Sequence, residues 1–207
     1  MKKMTAPLKK GYGSLNWDFS YLSNRGIQCV PGTYKVAIDK DMNGAFTRLA
    51  EPKTFKIKAL PNALGTPDYQ EKFDFAMELN KLSAEVSSAR MKLSDMNKRL
   101  SFMKGATSGL PVEGDFLVAD INALQKEVDA VTKIVSGGFG TKISVYSSLR
   151  FAGYATSGAH VNLSGAQKEQ YNLAKEGFKG QPATIADLYN NKLPALEKKF
   201  KAAGGVL

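Results

Sequence analysis

The sequence predicts an α+β chain, a small antiparallel β-sheet followed by an antiparallel helical bundle of about four helices. Three observations lead there. As far as Ala59, apolar and polar residues alternate singly, the pattern of strands with one dry face. From Thr66 onward the apolar residues recur at alternating steps of three and four, as on helices that bury one stripe. Gly and Pro clusters separate the striped segments, and such clusters end helices.

The strands come first. Leu15, Trp17 and Phe19 alternate with Asn16, Asp18 and Ser20, which reads as a strand anchored by an inward tryptophan. Pro31-Gly32 opens a second strand in which Tyr34, Val36 and Ile38 alternate with Lys35, Ala37 and Asp39. Asn43-Gly44 has the residue types that a tight hairpin demands, and Phe55, Ile57 and Ala59 alternate on the returning strand. The β-region spans 12–62, behind a basic tail at 1–11, and the helical bundle spans 66–207.

In the helical part, Thr66-Pro67 supplies an N-cap followed by Pro at the first helical position. A heptad-like stripe then runs from Tyr69 and Phe73 through Leu79, Leu82, Val86, Ala89, Leu93, Met96 and Leu100 to Met103. Gly109-Leu110-Pro111 makes a turn, and a second stripe begins near Glu113 with Leu117, Ile121, Leu124, Val128, Val131 and Val135, so the two helices form an antiparallel hairpin. Between Thr141 and Thr156 the spacing of Ile143, Tyr146 and Leu149 suits a helix, while Ile143 with Val145 also suits a short strand; helix is the assignment adopted. Ser164-Gly-Ala-Gln167 is a capping box opening a helix through Phe178. A last helical segment carries Ile185, Leu188, Tyr189, Leu193, Leu196 and Phe200, with Pro194 set to kink or restart it.

Charge and composition exclude several functions. The net charge is +10, and residues 1–62 hold 11 Lys or Arg against 4 Asp or Glu, so the basic excess lies in the first third. Arg25, Arg48, Arg90, Arg99 and Arg150 are scattered rather than interleaved with aromatic residues, so no nucleic-acid partner is expected. No uninterrupted apolar run reaches membrane-spanning length, and Met1-Lys-Lys-Met-Thr-Ala-Pro passes into polar sequence without the apolar run of a secretory signal. Cys29 is the single cysteine and has no His or Cys near it in sequence, which fits a buried strand-edge residue better than a reactive thiol.

Each candidate site has a plain structural explanation beside it. Asp39-Lys-Asp41-Met-Asn43-Gly44 matches the first half of a calcium loop, with oxygen donors at positions one, three and five. The second half does not follow, because Ala50 stands where the closing Glu belongs and a hairpin turn accounts for the same residues. Calcium at Asp39, Asp41 and Asn43 is therefore the one cofactor to weigh, and no other is expected. Trp17, Phe19 and Tyr34 could form a sugar-stacking platform, although alternating large aromatics usually face a core. The acid pairs Glu113 with Asp115 and Asp39 with Asp41 fall at a helix start and in a turn, where acids are common anyway. His160, the only histidine, lies in a predicted loop, and no Gly-x-Ser-x-Gly elbow occurs, so no catalytic residue is assigned and no enzyme activity is expected of this chain.

Taken in order, Gly13-Ser-Leu-Asn-Trp-Asp-Phe19, Val30-Pro-Gly-Thr-Tyr-Lys-Val36, Thr54-Phe-Lys-Ile57, the long helix from Tyr69 and the closing Leu193-Pro-Ala-Leu-Glu-Lys-Lys-Phe-Lys-Ala-Ala-Gly204 resemble a known arrangement. It is the C-terminal region of secreted bacterial sortilin-like, neuraminidase-repeat β-propeller proteins, often labelled glycosyl hydrolases. The resemblance covers nearly the whole chain, while the Asp39–Phe55 hairpin is longer and the 177–182 break sharper than in that pattern. It implies an immunoglobulin- or fibronectin-like sandwich with an appended bundle, in an exported parent that is periplasmic, cell-surface or extracellular. Since such a sandwich takes about 100 residues, the β-region here would be a partial one. The function expected is a non-catalytic accessory, structural or protein-interaction module that docks the parent's propeller or self-associates through an exposed sheet edge. Alternatives are a glycan-binding module or hydrolase fragment, and a freestanding helical adaptor whose basic tail binds acidic partners in a salt-sensitive way.

Overall fold

The computed structural model describes residues 2–6, 11, 13–21, 27–59, 67–110, 114–138, 143–154 and 162–206, with backbone only at 114 and 115. Arg25, Thr66, Pro111, Glu113, Thr141, Thr156 and His160, and the side chain of Asp115, lie outside this set. The chain is α+β, with two small antiparallel sheets followed by a larger helical part. It divides into two compact units, Met1–Met77 with Thr156–Leu163, and Glu78–Ala155 with Ser164–Leu207.

In the first unit, β1 (Gly32–Val36) pairs with β4 (Lys53–Ile57), and β2 (Asp39–Met42) pairs with β3 (Ala45–Arg48). The two sheets are the inner and outer halves of one long hairpin. Asn43 and Gly44 turn it at φ 52° and 87°, the left-handed backbone that a two-residue hairpin loop requires. Asp39 pairs with Arg48 and Val36 with Lys53, so four residues, 49–52, stand against two, 37–38. Pro52 lies in that excess and has no N–H to give a ladder, which accounts for the break between the halves.

The segment around Trp17 departs from the sequence expectation. Leu15, Trp17 and Phe19 form no strand; the chain passes irregularly from 13 to 19, and among the described residues it makes one isolated bridge, Ser20 to Gln28. Phe19 has φ 57°, a left-handed conformation that ends an extended run, and Leu15 is left exposed.

Helix α1 (Tyr69–Ala106) starts two residues beyond the expected Pro, because Asp68 caps it: Oδ1 accepts from the Glu71 N–H at 2.8 Å. Through Met77 this helix belongs to the first unit, where Tyr21 meets Phe73 edge-on at 4.9 Å. In the second unit, Leu79, Leu82, Val86, Ala89, Leu93, Met96, Leu100 and Met103 are all buried, in unbroken three–four alternation. Helix α2 (Gly114–Ser136) buries Leu117, Ile121, Leu124, Val128, Val131 and Val135 in the same rhythm. Asn97 pairs with Gln125 and Arg90 with Ser136, so α1 and α2 run antiparallel.

Helices α3 (Val145–Gly153) and α4 (Gly165–Phe178) each open on a full capping box, at Ser144 with Ser147 and at Ser164 with Gln167. The segment that suited either helix or strand is thus a short helix, with Ile143 exposed before its cap. Helices α5 (Gln181–Asp187) and α6 (Leu193–Ala202) are joined by a π-helical turn, Leu188–Lys192. This turn is how Pro194 is accommodated. A proline in an α-helix removes one hydrogen bond and strikes the carbonyl four residues back, and a wider turn relieves both.

Candidate functional site

The aromatic residues picked out in the sequence do come together, on the inner half of the hairpin. Trp17 lies 5.3 Å from Phe19 and 6.4 Å from Tyr34 between ring centroids. Phe55 completes the cluster, 6.0 Å from Trp17 edge-on and 5.9 Å from Tyr34 in a near-parallel stack. Sequence reading missed Phe55. Counting outward from the Asn43-Gly44 turn sets Tyr34 opposite Lys53; only the extra residues at 49–52 bring Phe55 opposite Tyr34.

Polar contacts hold the cluster from below. The Trp17 indole N–H donates to the Ser20 carbonyl at 3.0 Å, and the Tyr34 hydroxyl donates to the Val30 carbonyl at 2.7 Å. Asp18 accepts from the Ser20 hydroxyl, from the Ser20 N–H at 3.0 Å and from Lys2 at 3.1 Å. Those hydrogen bonds, the Ser20 hydroxyl first, hold the Asp18 carboxyl well below the usual carboxylate range. The Lys2 ammonium also donates to the buried Ser20 hydroxyl. Burial raises the Cys29 thiol and the Tyr34 phenol above their ordinary values, so both stay protonated at neutral pH. Phe19 remains half exposed, and only Tyr34 and Phe55 are near parallel, so the cluster offers an apolar patch rather than a flat platform.

The acidic loop sits at the outer end of the hairpin. Asp39 pairs with Arg48, whose guanidinium it holds charged above its ordinary value, and Asp41 Oδ1 accepts from the Gly44 N–H at 3.0 Å. The second Asp41 oxygen lies 3.8 Å from Lys3, which also stands 4.1 Å from the centre of the Phe46 ring. Asp39 and Asp41 share a face of the ribbon, and both already have cationic partners; Asn43 occupies the turn. Among the described residues no three His, Cys, Asp or Glu side chains gather as a metal set would.

The opposite face of this outer ribbon mixes apolar Ile38, Met42, Ala45 and Leu49 with the Lys40–Thr47 pair and is open. Ile38 and Leu49 are joined by a hydrogen bond from the Leu49 N–H to the Ile38 carbonyl at 2.9 Å. Both share a face with Met42 and Ala45, and Ile38, Met42 and Leu49 are 61, 58 and 56% exposed. No sequence signal marks these as surface residues, because alternation in a strand does not tell which face is covered.

Among the described residues no helix is long and apolar enough to cross a membrane. Compared with protein-family models, curated proteins and solved structures, the chain gives no match.

Proposed function

We propose that this chain is a non-catalytic accessory module that holds a protein partner through its β-ribbon. One observation supports the reading above others: the ribbon is two strands wide, so each strand keeps an edge that pairs with no other strand among the described residues, and Ile38, Met42 and Leu49 stand open beside it. Unpaired edges beside apolar side chains are templates for strand addition. On this reading the ribbon is part of an immunoglobulin- or fibronectin-like sandwich whose remaining strands come from the partner. The resemblance to the C-terminal region of neuraminidase-repeat propeller proteins suggests that the partner is the parent's own propeller or a neighbour of it.

Mass spectrometry of the producing cells tests this. Peptides that continue upstream of Met1 into a propeller support the reading. A mature N-terminus at Met1, together with a strictly monomeric sedimentation profile at high concentration, overturns it. The glycan-binding alternative draws support from the Trp17, Phe19, Tyr34 and Phe55 cluster. Retention on carbohydrate that a folded Trp17→Ala variant loses would put that alternative first.

A further inference from the structure

We infer that the groove between α1 and α2 binds an oxyanion, a carboxylate, sulfate or phosphate group, on an elongated acceptor-rich ligand. The groove is independent of the β-ribbon. It is an open groove of about 610 Å³, within the range of small-molecule sites, and Leu93 forms its buried floor. From Arg90 to Ser101 its α1 wall runs about 16 Å at helical rise.

The balance of donors and acceptors points to the ligand. The Arg90 guanidinium is fixed in place: it lies 3.7 Å over the Tyr146 ring, and its Nε donates to Ser136 Oγ at 3.2 Å. That leaves its terminal nitrogens for a ligand, and Ser136, having accepted, keeps a proton to give. The Asn97 carbonyl is already taken, accepting from Gln125 Nε2 at 2.5 Å, so the amide N–H groups are what Asn97 has left to offer. The Ser94 and Ser101 hydroxyls form no hydrogen bond, and Lys98 no ion pair, among the described residues. Thr132 alone spends its proton elsewhere, on the Val128 carbonyl at 2.8 Å.

Two cations and several unspent N–H and O–H donors therefore line the groove, and no carboxylate does. A wall of that composition attracts an oxyanion. An arginine preset by stacking is the side chain best suited to hold one, since its fork meets two oxygens at once and little freedom remains to be lost.

The test uses the full chain, ¹⁵N-labelled, titrated at constant ionic strength with inorganic phosphate, sulfate and acetate while the arginine Nε–H resonances are followed. The expected result is a saturable shift of Arg90 with at least one anion, absent from Arg25, Arg48, Arg99 and Arg150. Tighter phosphate or sulfate marks a phosphorylated or sulfated ligand, and tighter acetate a carboxylated one. In the double variant Ser94→Asp, Ser101→Asp, changed at two exposed positions that leave the core intact, affinity should fall at least tenfold. No saturable shift, a shift shared equally by all five arginines, or unchanged affinity in the double variant overturns the proposal.

Discussion

The Leu193 N–H donates to the carbonyl of Leu188, five residues earlier, and this one bond shifts the buried stripe of the last helix by a residue. Ile185 and Leu188 keep the usual spacing, then Leu193, Leu196 and Phe200 resume one position late and still face the core. Deleting the exposed Asn190 would restore an uninterrupted three–four rhythm but force Pro194 into a regular helix. The deletion alone should therefore be less stable than the same deletion combined with Pro194→Ala, by about 3 kcal/mol in urea unfolding. Equal stabilities would mean that the wide turn has another cause.

Tyr171 donates its hydroxyl to Glu78 at 3.1 Å between α4 and α1. Burial, then that carboxylate, push its pKa from 10.0 up to about 12. The folded state thus holds the phenolic proton where the unfolded chain has released it. The contribution is complete below pH 10, is lost as pH rises towards 12, and amounts to at most about 2–3 kcal/mol. Subtracting the Tyr171→Phe profile from that of the native chain should isolate this alkaline loss in denaturant midpoints.

Gly205 closes the last helix by giving its N–H to the Phe200 carbonyl at 2.9 Å. A Cβ at position 205 would meet the Phe200 ring, which is fully buried. Gly205→Ala should therefore displace that ring and cost about 1–3 kcal/mol, as overpacking does, while Phe200→Ala should cost about 3–5 kcal/mol. Thermal unfolding of the two variants gives the comparison.

Strong acid should loosen the Trp17 cluster of the first unit. Asp18 titrates below its ordinary value of 3.8, so its support is present above that pH and fades as pH falls through the depressed value. Trp17 is the only tryptophan, and its fluorescence reports on this cluster alone. The acid transition in that signal should move to higher pH in Lys2→Ala, and in Asp18→Asn its pH dependence should largely disappear.

Much of the helical part was legible in the sequence, since stripes at Leu79 to Met103 and Leu117 to Val135 permit one inward face and both are buried as spaced. The capping box at Ser164 was legible for a similar reason, because it needs only residues three apart. The helix start at Asp68 was not, as Thr66-Pro67 and Asp68 offer competing caps and spacing cannot rank them. In the first unit, alternation at Leu15, Trp17 and Phe19 was mistaken for a strand. The tryptophan indeed points toward Tyr34, but through a left-handed turn at Phe19 that no period announces. For the candidate sites, grouping by face was readable and distance was not. Asp39 and Asp41 share a face as their spacing requires, yet Arg48 and Lys3 reach them from residues that no motif connects.

The partners of α1 arrive at very different times. Asn97 meets Gln125, 28 residues later, while Asp95 waits for Tyr189 in the π-helical turn, 94 residues on, and Arg99 for Glu197 on α6. At ribosomal speeds of about 5–20 residues per second, the nascent α1–α2 hairpin, complete at Ser136, shows one uncovered seam for roughly 3–13 seconds before its mate is made. During that interval the side of α1 that carries Asp95 and Arg99 stands without the partners that hold it in the finished molecule.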